Sequence, residues 1–201
     1  MPAFASSPAP EMTRWGKPVT ATQRLPGIWR VATPSHGGFV LSEQRQAAMP
    51  AALRLDEPEY EHDVDWSLVI VAFQTEFAAA GDLLFDIELS LATDTVKSWR
   101  PERWEAYASE PVEPRQSHVR REREAFEARI GKVVVTTAYG DWADWVPTGK
   151  VGVLGYRLAS VDHMARPTYA DPVFKALVNA ARYEERTSVI SFDELDAEIL
   201  T

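Results

Sequence analysis

The sequence predicts an α+β fold, a single compact domain with a small antiparallel sheet packed by several helices. Three observations carry that expectation. Two strand-like runs flank a Leu25-Pro26-Gly27 turn, as a hairpin requires. Several longer segments repeat apolar residues at three- and four-residue spacing behind helix-capping side chains. The composition, 45% hydrophobic and 25% charged over 201 residues, is that of an ordinary globular chain long enough to bury a core.

In chain order, residues 1–12 are rich in Pro, Ala and Ser and read as a disordered leader, with the domain spanning 13–201. Val19–Arg24 and Ile28–Thr33 are the hairpin strands. The run Thr33-Pro34-Ser35-His36-Gly37-Gly38-Phe39 makes a tight connection, after which Ser42 caps a short helix ending near Pro50. Asp63 is placed to cap Val64–Ala80, whose apolar residues surround the helix axis. A central strand over Leu68–Phe73 fits the same run. A helix over Asp82–Ser98 sets Leu84, Ile87, Leu91 and Thr95 on one face.

Pro101 suits the first turn of a helix running to Ala108. Glu113–Ile130 reads as a charged surface helix closed by Gly131, its arginines paired by interleaved acids. Lys132–Ala138 and Lys150–Leu158 read as strands flanking the Asp141–Gly149 loop. Asp171-Pro172 starts a helix running into Ala180–Tyr183. Ser191-Phe192-Asp193-Glu194 matches a capping box and starts a final acidic helix over 191–201, an appendage to the domain.

Charge is segregated. Of a net −9, residues 1–55 carry +4, while 56–94 hold eleven acids and no Lys or Arg. Such a segment repels phosphate backbones, so direct nucleic-acid binding is not expected; a basic protein partner is. The bland alternative is a solvated face neutralised by the basic N-terminal block. There is no cysteine, which excludes disulfides, thiolate metal sites and a cysteine nucleophile. No apolar run is long enough to span a membrane and no secretory signal stands at the N-terminus, so no membrane association and a cytoplasmic location are expected.

Ser35, His36, Gly37 and Gly38 form the first candidate binding site, because an imidazole beside two glycines lies where backbone approaches a ligand closely. The competing reading is a glycine turn of positive φ with His36 as a plug. Tyr60–Trp66 packs Glu61, His62, Asp63 and Asp65 into five positions. Glu61 and Asp65 are candidate binding residues and His36 with Asp63 candidate catalytic ones. His36, His62 and Asp63 are the candidate ligands were a metal to bind, although no metal and no cofactor is expected. Trp142 and Trp145, on a loop bracketed by Asp141 and Asp144, are candidate interface anchors.

Trp15-Gly16, Gly27-Ile28, the TPSHGGF run at 33–39, Ser42, Arg45, Pro50, Tyr60-Glu61, Asp63 and Asp65-Trp66 recur together with Gly140-Asp141-Trp142, Val146-Pro147 and Gly149…Val151-Gly152-Val153. This pattern, over roughly residues 13–158, resembles an uncharacterised domain family encoded on bacterial plasmids, integrative elements and phages. His62 stands where that pattern has an acid, and Lys150 where it has an apolar residue. The resemblance implies an accessory role in a mobile genetic element and no particular chemistry. The function expected is therefore an anti-defence protein that binds and inhibits a host or rival protein through an acidic surface. The alternative is a hydrolase or nucleotide-modifying enzyme built around His36 with acids of the 60–66 segment.

Overall fold

The computed structural model describes residues 4–81 and 83–200. Among them the chain is α+β, with seven α-helices and two four-stranded antiparallel sheets. It divides into two compact units, residues 1–117 and 118–201, each with one sheet and its own core.

In the first unit the expected hairpin forms as β1 (Thr20–Leu25) and β2 (Ile28–Ala32), with Leu25 opposite Ile28. β3 (Gly37–Leu41) pairs with β2, and β4 (Glu59–Glu61) with β3, giving the order β1-β2-β3-β4. Between β3 and β4 lies α1 (Glu43–Ala48), whose N-cap Ser42 accepts from the Arg45 N–H. The segment expected as one helix over Val64–Ala80 is two, α2 (Trp66–Ala72) and α3 (Gln74–Ala79), broken at Phe73. Leu68, Val69, Ile70 and Val71 are all buried, which is why their apolar residues surround the axis. Asp63 does not cap α2. The helix starts after Asp65, and the Asp63 carboxylate pairs instead with His62 at 3.1 Å.

α4 (Phe85–Trp99) and α5 (Pro101–Ala108) complete the unit. The expected start of α4 at Asp82 lies outside the described residues. α4 buries Phe85, Ala92 and Val96 in the core with Ile28, Phe39, Leu41 and Tyr60 from the sheet. The face bearing Leu84, Ile87 and Leu91 points the other way. Residues 4–12, in the segment read as a leader, form no helix or strand. Phe4 there meets Phe73 edge-on, with the buried Arg45 guanidinium 3.7 Å from its ring centroid. Arg45 also donates to the Pro26 carbonyl and to Glu76, each at 2.8 Å.

The charged helix expected over 113–130 is shorter: a 3-10 turn at Pro114–Gln116 closes the first unit, and α6 (His118–Glu127) opens the second. β5 (Val133–Tyr139) and β6 (Lys150–Val161) flank the 140–149 loop as expected. The helix expected from Asp171 is instead β7 (Pro167–Asn179), followed by a single short helix α7 (Ala180–Glu184). The reason is the period. Ala176 and Val178 are buried and alternate with exposed Lys175 and Asn179, so the segment reads every second residue, not every third or fourth. Asn179, rather than Asp171, supplies the helix cap.

The acidic helix expected over 191–201 is also absent. Asp193–Leu195 is one 3-10 turn, and β8 (Glu198–Leu200) joins β7 at the edge of the sheet. The Ser191–Glu194 box is present but serves a different end. Glu194 accepts from the Ser191 N–H and hydroxyl while Arg129 grips both its oxygens at 2.8 and 2.7 Å. That fork, joined by the Ser191 bonds, holds the Glu194 carboxyl down to about 2.

Candidate functional site

The Ser35–Phe39 run is built by backbone. Thr33 donates through its hydroxyl to the His36 carbonyl (3.0 Å) and accepts from the His36 N–H (3.1 Å), closing the turn from β2 to β3. Gly37 and Gly38 then carry β3 between two other strands. A Cβ on Gly37 would lie 2.6 Å from the Val31 carbonyl oxygen; one on Gly38 would run into the Tyr60 carbonyl and lie 2.8 Å from the Trp15 ring. Close approach of the Val31 and Tyr60 backbone accounts for both glycines. The His36 ring is exposed; Ser35 Oγ lies 2.9 Å from its Nδ1, and Glu61 lies 3.8 Å from its Nε2.

The 60–66 residues do not converge on His36. Of the four, Glu61 alone approaches it. His62 donates through Nδ1–H to the Gly37 carbonyl at 3.1 Å and pairs with Asp63 on its other side. Asp65 is held by Arg100 at 3.0 Å. Among the described residues no three His, Asp or Glu side chains gather as a metal-holding group.

The basic N-terminal block meets the acidic one. Arg14 bonds Glu59 through its backbone N–H, Arg24 pairs with Glu88 at 2.9 Å, and Arg45 with Glu76 at 2.8 Å. Asp56, Glu57, Asp86 and Asp94 are exposed and have no ion-pair partner among the described residues. The acidic surface is therefore smaller than the sequence suggests, and it includes the outer side of α4.

That outer side is the face on which the sequence sets Leu84, Ile87 and Leu91, but sequence reasoning named none of them as a site residue. Leu84, Ile87 and Leu91 are 66%, 61% and 56% exposed, with Leu83 just before them wholly open to solvent. They border a cleft of about 500 Å³ that Phe39, Trp66 and His62 also line, with Arg24, Arg30 and Glu88 supplying its polar groups. His36, Glu61 and Asp63 do not line it. The signal was in the sequence: α4 carries two apolar stripes, and a helix packed on one side buries only one.

In the second unit Trp142 stands 75% exposed on the 140–149 loop. Its ring centroid is 5.9 Å from that of Tyr139, which is 5.6 Å from that of Trp145. Trp145 lies flat on Gly152, where a Cβ would collide with the indole, and carries the Lys175 ammonium 4.0 Å from its ring centroid. Trp145 is thus part of the sheet's packing, and Trp142 is the exposed end of the group.

No helix among the described residues is long and apolar enough to cross a membrane. The model of a family described as a domain of unknown function, DUF7007, matches residues 8–130, and the chain belongs to that family. The match takes in the TPSHGGF run and α4 but stops short of the Trp142 loop. No curated protein and no solved structure matches the chain.

Proposed function

We propose that this DUF7007 member is a non-catalytic inhibitor, an accessory protein of a mobile genetic element that binds a basic host or rival protein in the cytoplasm. One observation carries the reading. An exposed apolar stripe, Leu84, Ile87 and Leu91, runs along α4 beside Asp86 and Asp94, carboxylates with no ion-pair partner among the described residues. Monomeric proteins rarely leave such a stripe uncovered, and apolar anchors rimmed by charge are how protein partners are held and steered. The first unit carries ten Lys or Arg against seventeen acids, so its field favours a cationic partner and disfavours nucleic acid.

The test is binding of the partner, captured from the native host, to two variants. Ile87→Glu with Leu91→Glu should abolish binding and relieve inhibition while the far-UV spectrum is unchanged. Asp86→Lys with Asp94→Lys should slow association and flatten its salt dependence. Full binding by both variants would sink the proposal.

A hydrolase at His36 is the second reading, favoured by the Ser35–His36 contact and the nearby Glu61. It requires a nucleophile, base and orienting acid held in sequence by hydrogen bonds, and the 3.8 Å gap to Glu61 is too long for one. Turnover lost in His36→Ala would establish it.

A further inference from the structure

We infer that Trp142, with Asp141 and Asp144, forms a seat for an arginine side chain of a protein partner. This inference shares with the reading above only the premise that the partner is basic; it concerns a different unit of the chain.

The protein itself shows what its accessible aromatic faces take. Trp15 carries Arg14, Trp104 carries Lys97 and Trp145 carries Lys175, at 5.1, 4.7 and 4.0 Å from the ring centroids. Trp142 is more exposed than any of these and holds no cation of its own among the described residues. Its indole is not a loose side chain. It rests on Gly140, where an added Cβ would lie 2.9 Å from both Cδ1 and Nε1, and it leans on the Tyr139 ring. The loop beneath is pinned by Ala143 N–H to the Gly140 carbonyl (3.1 Å) and Val146 N–H to the Ala143 carbonyl (2.8 Å). A pre-set aromatic face loses little entropy on binding.

The flanking groups choose the ligand. Asp141 and Asp144 are exposed on the two successive turns of this loop and make no ion pair or hydrogen bond among the described residues. Two carboxylates with no partner among the described residues, one and two positions along the chain from an electron-rich indole, disfavour anions and favour a cation. Guanidinium fits best, because it stacks flat on indole and offers its N–H fork to carboxylate at the same time. A lysine ammonium can sit on an indole and reach a carboxylate together, as Lys97 does between Trp104 and Glu110, but as a point charge it lacks the planar stack and the two-pronged fork.

The experiment follows the Trp142 indole N–H signal by NMR, assigned by its loss in Trp142→Phe, while an acetylated and amidated Arg-Gly-Arg-Gly-Arg peptide is added at low salt to the full chain. Matching peptides with lysine or with neutral citrulline serve as comparisons. The expected result is a saturable shift with the arginine peptide tightest and citrulline silent. Affinity, followed at the Gly140 amide, should fall about threefold to fivefold in Trp142→Ala. Asp141→Asn with Asp144→Asn should reduce it and its salt dependence.

Three results would overturn the inference: citrulline binding as well as arginine, Trp142→Ala binding undiminished, or no saturable shift at all. A shift produced by a neutral glucan hexasaccharide while the arginine peptide is silent would overturn it in favour of a sugar platform. Because no α4 contact enters the measurement, its outcome is independent of the Ile87 and Leu91 variants.

Discussion

The Ser35–Phe39 turn and the outer face of α4 exchange the roles their sequences suggest. The first has a histidine, a serine and two glycines, the vocabulary of a ligand site, and spends it on architecture. Thr33 closes the turn through backbone groups, and the glycines let β3 lie against Val31 and Tyr60. The second has leucine and isoleucine at helical spacing, the vocabulary of a core, and leaves them in solvent. Residue chemistry says what a group is able to do. Whether it does so depends on what the fold places in front of it.

α4 offers the sharpest way to break this comparison, because both of its stripes are apolar and lie on one helix. Phe85 is buried, with its ring stacked on Phe77 at 5.9 Å between centroids. Phe85→Ala should cost about 3–5 kcal/mol in urea unfolding, as expected for an aromatic removed from a packed core. Leu91→Ala removes an exposed side chain and installs the best helix former, so it should stay within about 0.5 kcal/mol of wild type. Equal losses at the two positions would mean that the outer stripe is covered within the folded chain.

Gly38→Ala comes next. The new methyl group meets the Tyr60 carbonyl and the Trp15 ring, and β3 has strands on both sides, so it cannot yield without breaking a ladder. A loss of about 1–3 kcal/mol follows from overpacking. Gly37→Ala should also destabilise, through the Val31 carbonyl rather than through a positive φ. Thermal melts that leave both variants at the wild-type midpoint would return the glycines to a ligand-binding role.

Local signals were legible wherever one short-range interaction decides the outcome. The Leu25–Ile28 hairpin, the Ser42 cap, α5 behind Pro101 and the strands around the 140–149 loop all stand where the sequence puts them. Two strong signals misled for a common reason: a capping sequence says where a helix is permitted, not that one continues. At Asp171 the ten residue pairs that β7 makes with β6 on the two sides of a bulge outweigh it. At Ser191 the box is diverted to Arg129. The short strands β4 and β8 were invisible because each is three residues long and exists through its partner. Of the candidate site residues, Ser35 and Glu61 lie near His36, Gly38 and His62 line the cleft beside α4, and Trp142 stands exposed at the end of the Tyr139–Trp145 group.

The Arg129–Glu194–Ser191 cluster extends the comparison to acid. Glu194 titrates at about 2 in the folded chain against 4.5 in the unfolded one. A carboxyl so depressed stabilises the fold fully above the unfolded value and loses that contribution as pH falls from near 5 toward 2. Glu194→Gln should therefore lower the urea midpoint at neutral pH, and the gap to wild type should close as the pH is taken down through that window. A gap independent of pH would assign the effect to packing of the side chain and not to its charge.

His36→Ala is the smallest effect expected and the most decisive for the turn. Every hydrogen bond that closes the turn at His36 runs to its backbone N–H or carbonyl, and alanine keeps both. The ring is exposed, so its removal opens no cavity, and its contacts to Ser35 and Glu61 lie where water replaces them. Stability should remain within about 0.5 kcal/mol of wild type. Partner affinity should be unchanged, since the α4 stripe lies across a cleft that His36 does not line. A variant that folds normally but loses inhibition or turnover would reverse the comparison, making the turn the working site and the outer face of α4 a bystander.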